Sequence, residues 1–327
     1  MERMKSTMVA DKRPLAQHRA APRRPISLVM VFLFLVVLGG STGAALGHMT
    51  VAQAQTQQTP DEQTAAQEPQ GPETASELPT PQVETVEAET PCDNVEVTSA
   101  LEGDDASAVI AAFGGAEAFR AHVAAGSAPC VALDDGDWPW LVVNKHLTLD
   151  PVDFVPENLT APDRRITSDS VMRAEATDAL NELIAGSTSE GAGDIAVTSG
   201  YRSYGLQQSL FDGYVYSAGR EAAEATSARP GHSEHQTGLT ADVVPCSGTC
   251  LTMDDFGASA QGQWVAENAW KYGYIIRYEE GYTETTGYSP EPWHLRYIGT
   301  ELAKAYHEGE YHTLEDFFGL DAAPDYQ

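Results

Sequence analysis

The chain has 327 residues, 42% of them hydrophobic, with 19 basic against 48 acidic side chains and a net charge of −29. That length accommodates one or two folded units. So acidic a surface argues against nucleic acid and anionic lipid as partners and leaves the fold open.

Residues 1–24 carry seven basic side chains (Arg3, Lys5, Lys12, Arg13, Arg19, Arg23, Arg24) against Glu2 and Asp11, and an uncharged apolar run follows from Ile26 to about Leu46. A basic flank before an apolar core is an export signal whose positive end stays in the cytoplasm. Ala52-Gln53-Ala54 offers small residues for cleavage, yet the run is long enough to remain as an anchor. Residues 1–54 are therefore read as a cytoplasmic basic segment plus either a signal peptide or a membrane anchor. Without them the chain keeps 12 basic and 46 acidic residues, a net of −34. Residues 55–91, rich in Gln, Thr, Pro and Glu, bury too little apolar surface to offset chain entropy and are expected to be a disordered tether.

The four cysteines suit an exported protein. Cys92 and Cys130 bracket a small helical piece, residues 92–135, and Cys246 and Cys250 enclose Ser-Gly-Thr. Proximity favours these two disulfides, and a cysteine metal site would lack a second pair.

Residues 136–322 read as one α+β domain. Trp140–Asn144 has the composition of a first strand. Met172, Ala176, Ala179, Leu180, Leu183 and Ile184 recur at helical spacing, with Ser168, Asp169 and Ser170 as candidate caps. Asp194–Ser199 is a strand, followed by a helix with Leu206, Leu210, Phe211 and Tyr214 on one face. Trp264–Tyr272 forms a third helix stopped by Gly273. Tyr274–Tyr278 and Trp293–Ile298 are further strands, and Glu301–His307 a closing helix.

The chemistry gathers in Arg229-Pro-Gly-His-Ser-Glu-His-Gln-Thr-Gly-Leu-Thr-Ala-Asp242. Gly238 marks a bend before an apolar strand, which would fold His235 back beside Asp242. An imidazole and a carboxylate held together suit a divalent metal, zinc above all, and Glu291-Pro-Trp-His294 supplies a third ligand in His294. Glu291 is then the candidate base for an activated water. Residues three apart on a regular strand point to opposite faces, so a bend or bulge must bring Glu291 and His294 into one cavity. Arg202, at a strand end, is placed to stabilise charge on an attacked carbonyl. Trp264, Trp270 and Trp293 read as core, with Trp293 also lining the cleft. His232, three residues before His235, falls to a role supporting the ligands or to a loop role. His307 and His312 stand five apart, would not share a helical face, and read as surface residues.

Three pieces in order, Ser199-Gly-Tyr-Arg-Ser203 with Gln207, Pro230–Asp242 and Glu291–His294, resemble the VanY-type D-alanyl-D-alanine carboxypeptidases, zinc peptidases related to VanX and the lysostaphin-like enzymes. Trp140-Leu-Val-Val-Asn-Lys145 also looks like the start of that family's domain, and the resemblance runs from about Trp138 to Leu320. It implies a small central antiparallel sheet flanked by helices with the zinc site in a cleft over the sheet. It further implies one Zn²⁺ per chain on His235, Asp242 and His294, with Glu291 as base and Arg202 on the carbonyl. Ser233 and Gln207 would lie near the substrate's terminal carboxylate. Thr240, the Cys246–Cys250 loop and Glu279-Glu280 depart from the motif without touching a ligand. The implied partner is a peptidoglycan stem peptide and the implied activity removal of its terminal D-alanine; with the export signal of residues 1–54, the expectation is an exported protein, read as a monomer. L,D-carboxypeptidase, D,D-dipeptidase and cross-link endopeptidase activities fit the same constellation. A non-catalytic wall-binding module would have no need of Glu291.

Overall fold

The computed structural model describes residues 90–327. The export segment of residues 1–54 and nearly all of the expected tether lie outside the described residues. Among the described residues, no helix is long and apolar enough to cross a membrane.

Three short helices come first, α1 (Val95–Glu102), α2 (Ala106–Ala112) and α3 (Ala116–Ala124). Asn94 and Asp105 accept N–H bonds from the first turns of α1 and α2, which meets donors that a helix start leaves unpaired. The Cys92–Cys130 disulfide closes this region. Then follow β1 (Leu159–Thr160), β2 (Met172–Arg173), α4 (Ala174–Ser189), β3 (Asp194–Ser199), α5 (Tyr204–Ala218) and α6 (Arg220–Thr226). The remainder comprises β4 (Thr240–Ser247), β5 (Thr249–Cys250), α7 (Ala260–Asn268), β6 (Tyr274–Tyr278), α8 (Thr283–Thr286), β7 (Glu291–Tyr297), α9 (Thr300–Glu308) and α10 (Leu314–Phe318).

The main sheet is antiparallel, ordered β3-β4-β7-β6, with β5 hairpinned onto β4 where Cys246 pairs with Cys250 and is disulfide-bonded to it. Alternation along the strands decides what each face carries. Ala241 and Val243 of β4 and Leu295 of β7 turn into a core with Leu180, Leu183 and Ile184 of α4 and Val265 of α7. Asp242 and His294 therefore turn to the opposite face. A second core joins Val97, Val109 and Phe119 of α1–α3 to Leu302 of α9 and Phe317 of α10 around Trp140. The helical piece is thus packed on the closing helices and shares a core with them.

Three expectations are corrected. Trp140–Asn144 is no strand, although Trp140 through Val143 are fully buried. Its backbone is satisfied elsewhere. Arg296 Nη2 donates to the carbonyls of Pro139 and Leu141 at 3.1 and 2.9 Å, and the Val142 N–H donates to Leu133. Secondly, α4 begins at Ala174, because Met172 and Arg173 pair with Thr160 and Leu159; Ser168, Asp169 and Ser170 do not cap it. Finally, α5 buries Gln207 and Phe211, whereas Leu206, Leu210 and Tyr214 are exposed. Phe211 and Gln207, four apart, form the inward stripe.

Candidate metal centre

Three local devices bring the ligands together. Gly238, at φ 72°, takes the left-handed conformation that ends the 3-10 turn Glu234–Thr237 and swings the chain into β4. His235 thereby comes beside Asp242, with Nε2 3.2 Å from Asp242 Oδ2. The sheet register then sets Asp242 directly opposite His294, whose Nδ1 is 3.4 Å from Asp242 Oδ1. A bulge supplies the last piece. Ile276 pairs with Leu295 but Tyr278 pairs with Glu291, so β7 carries extra residues at Pro292 and Trp293. Glu291 Oε2 comes to 3.3 Å from His294 Nδ1, which meets the demand that the sequence spacing made.

The donor set fits a metal. His235, Asp242 and His294 are all buried, and their candidate ligand atoms lie within 4.8 Å of one another. Tetrahedral donors around zinc at about 2.0–2.1 Å stand about 3.3–3.4 Å apart, close to the 3.2 and 3.4 Å contacts between Asp242 and the two imidazoles. His235 Nδ1 lies 2.7 Å from the Gly200 carbonyl and donates to it, leaving Nε2 as the free lone pair. Burial and then Arg202 lower the His235 pKa, which favours the neutral, ligating ring. Burial opposes ionisation of Asp242, but His235, His294 and Arg202 outweigh it and hold the carboxyl well below its ordinary range. For His294, burial disfavours the charged ring. Hydrogen bonds with Asp242, Glu234 and Glu291 overcome that and raise its pKa well above the ordinary value.

Arg202 sits against this set. Its Nη2 donates to Asp242 Oδ2 at 2.5 Å and its Nε to Ser199 Oγ at 2.9 Å. The guanidinium therefore grips a candidate ligand as well as lining the cleft. That cleft has a volume of about 330 Å³, and Ser233, Gln207 and Trp293 line it with the ligands and Glu291. Gln207 is buried, and its Nε2 donates to the Ala228 carbonyl at 2.8 Å and Ser227 Oγ at 3.3 Å. Its amide hydrogens are thus engaged, and Oε1 is the atom without a partner. A larger groove of about 1050 Å³ runs between β6 and α9, sharing only Tyr278 and Pro290 with the cleft. It holds none of the ligand set, so chemistry and not size selects the site. His307 and His312 line that groove; His307 stacks on Trp270 and His312 bonds to Glu279. His232 holds the Asn144 carbonyl at 2.7 Å and packs edge-on to Tyr326.

Sequence reasoning passed over Glu234. It is 1% exposed, with Oε1 bonded to Arg277 Nε at 2.9 Å and Arg296 Nη1 at 3.0 Å, and Oε2 3.2 Å from His294 Nε2. Arg277 also forks onto Glu315 of α10 at 2.7 and 3.0 Å. Burial opposes the charge on Glu234, but Arg296 and Arg277 keep its carboxyl far below the ordinary range. The signal lay in the strands. Arg277 interrupts the otherwise apolar β6, Arg296 follows the buried Leu295 in β7, and a buried guanidinium requires an anionic partner.

A buried His-Asp-His set opening on a cleft, with a further carboxylate beside it, is the donor pattern of a single-metal hydrolase. The family model of VanY D-alanyl-D-alanine carboxypeptidases matches residues 169–300. The chain is 32% identical over 198 residues to a D-alanyl-D-alanine carboxypeptidase of Enterococcus faecalis, covering 58% of this chain and 68% of that protein. It is 40% identical over 182 residues to YodJ of Bacillus subtilis, covering 54% of this chain and 66% of YodJ, just under two thirds of that relative's length. Among solved structures it resembles the LdcB LD-carboxypeptidase, with 39% identity, a TM-score of 0.51, and coverage of 55% of this chain and 85% of that one. The chain belongs to the VanY D-alanyl-D-alanine carboxypeptidase family, as its motifs implied.

Proposed function

We propose that the protein is an exported, monomeric zinc carboxypeptidase, with one Zn²⁺ per chain, that removes the terminal D-alanine from peptidoglycan stem peptides. The observation that carries this reading is the bulge in β7, which adds Glu291 to the face where His235, Asp242 and His294 converge. A binding module would need the ligands but not that carboxylate. Zinc at these residues supplies Lewis acidity to the scissile carbonyl and to the attacking water. Glu291 takes a proton from that water and returns it to the leaving amine of D-alanine. Arg202, on the cleft wall, offers its guanidinium to the oxygen that gains negative charge. Ser233 is the better donor to the terminal carboxylate, because the amide hydrogens of Gln207 are already engaged. Trp293 closes one wall, and capture of a free carboxylate restricts cleavage to the chain end. Residues 1–54 would direct export and residues 55–91 would hold the catalytic part away from the membrane.

Similarity to the LdcB LD-carboxypeptidase supports a second reading, removal of D-alanine from the shorter tetrapeptide stem. Mass spectrometry of stem pentapeptide and tetrapeptide, incubated with residues 92–327 with and without chelator, separates the two. Loss of one alanine from the pentapeptide, abolished by chelation and restored by zinc, is the expected result. Cleavage of the tetrapeptide alone assigns the L,D activity. Zinc binding with no cleavage of either overturns both.

A further inference from the structure

We infer that Glu234 is the positioning residue for His294: its carboxylate, clamped by two buried arginines, takes the Nε2 hydrogen and leaves Nδ1 as the atom that faces Asp242. The inference rests on the metal-centre reading and adds to it a residue outside the ligand set.

An imidazole presents two nitrogens, and which one ligates is set by the hydrogen bond that the other makes. The two candidate histidines are oriented differently. His235 gives its Nδ1 hydrogen to a neutral backbone carbonyl, that of Gly200, and turns Nε2 toward Asp242. His294 turns the other way, with Nδ1 3.4 Å from Asp242 Oδ1 and 3.3 Å from Glu291 Oε2, while Nε2 meets Glu234 Oε2 at 3.2 Å. Its partner is therefore an anion, which raises the basicity of the ligating nitrogen.

That anion is fixed in place and charge. Glu234 Oε1 takes hydrogen bonds from both Arg277 and Arg296, so only Oε2 remains for the imidazole. Arg296 is itself tied to the carbonyls of Pro139, Leu141 and Tyr297, and Arg277 forks onto Glu315. Two guanidinium groups and two carboxylates thus balance in a buried network. The closing helix α10 is connected through Glu315, Arg277 and Glu234 to one imidazole.

The experiment compares Glu234→Gln with Glu315→Gln in otherwise full-length protein. Each removes one carboxylate from the same network, but only the first touches His294. Zinc affinity is measured by competition with a chromophoric chelator, the Nε2–H resonance of His294 in the metal-free protein by NMR, and folding by thermal melting. For Glu234→Gln we expect zinc binding roughly 10–100-fold weaker, the range for lost partners of metal-ligating histidines. We also expect the Nε2–H resonance of His294, downfield while that hydrogen is bonded to a carboxylate, to move upfield. Glu315→Gln should melt earlier yet bind zinc within about threefold of wild type, since Oε2 of Glu234 keeps its partner. Glu234→Asp serves if the glutamine variant does not fold; it keeps the charge, withdraws the carboxylate by about one bond length, and should weaken zinc in the same way. The inference is overturned if either Glu234 variant binds zinc like wild type, or if Glu315→Gln loses as much affinity as Glu234→Gln. Should wild-type protein bind no zinc, the metal reading falls. The Nε2–H resonance of metal-free His294 then still decides the role of Glu234.

Discussion

Glu291→Gln isolates the proposed base from the metal. Glu291 lies outside the His235-Asp242-His294 group, and its contact with that group is one carboxylate oxygen 3.3 Å from His294 Nδ1. Glutamine keeps the size and the strand register and removes the negative charge and with it the ability to take a proton. Positioned acid–base groups contribute about 10²–10⁴-fold to rate, which at about 1.4 kcal/mol per tenfold is about 3–5 kcal/mol of lost barrier lowering. That loss should fall in kcat, with zinc affinity held within about tenfold because no ligand has been removed. The assay is release of D-alanine from stem pentapeptide, run beside a measurement of zinc content in the same samples. A zinc-loaded variant with turnover within tenfold of wild type would refute the assignment and require another base. A variant that loses zinc together with turnover would make Glu291 a ligand, and the three-residue set would then be incomplete.

His294→Ala, in contrast, removes a proposed ligand and should abolish zinc retention and turnover together; metal content after dialysis checks it. Gly200→Ala tests how the backbone holds His235. A Cβ at Gly200 would stand 2.4 Å from the Val171 carbonyl oxygen, so β3 must shift, and the Gly200 carbonyl that orients His235 must shift with it. We expect a loss of about 1–3 kcal/mol in denaturant unfolding, as for overpacked sites, with weaker zinc binding; unchanged values for both would refute this account. Alkaline pH supplies a test that involves no metal ligand. Burial raises the pKa of Tyr274, Tyr278, Tyr288 and Tyr306 well above the ordinary value of 10.0. Below that pH both folded and unfolded chains keep these protons. Above it the unfolded chain releases them and the folded chain does not, so stability falls by up to about 1.4 kcal/mol per pH unit for each tyrosine. Tyrosinate absorbance from these residues should therefore rise only with loss of the far-ultraviolet circular dichroism, and a rise that precedes unfolding would contradict their burial.

What the sequence made legible follows from the range of the interactions involved. Gly238 acts within three residues of His235, and the antiparallel register of β4 and β7 acts between neighbouring strands, so motif spacing carried both. The bulge at Pro292 and Trp293 was legible only as a requirement, because nothing local states how β7 pairs with β6. Trp140–Val143 misled because buried strands and buried loops share one composition. The difference is whether a ladder or the Arg296 side chain, more than 150 residues away in sequence, satisfies the carbonyls. The exposed Leu206, Leu210 and Tyr214 misled for a related reason, since helical spacing defines a stripe without saying which stripe turns inward. Glu234 stood in plain view between Ser233 and His235. It took on meaning only when Arg277, Arg296 and Glu315 arrived from three separate elements to hold its charge beside His294. Charges within apolar strands are therefore evidence that a partner exists, while the fold alone identifies which one, and here that partner adjoins the metal centre.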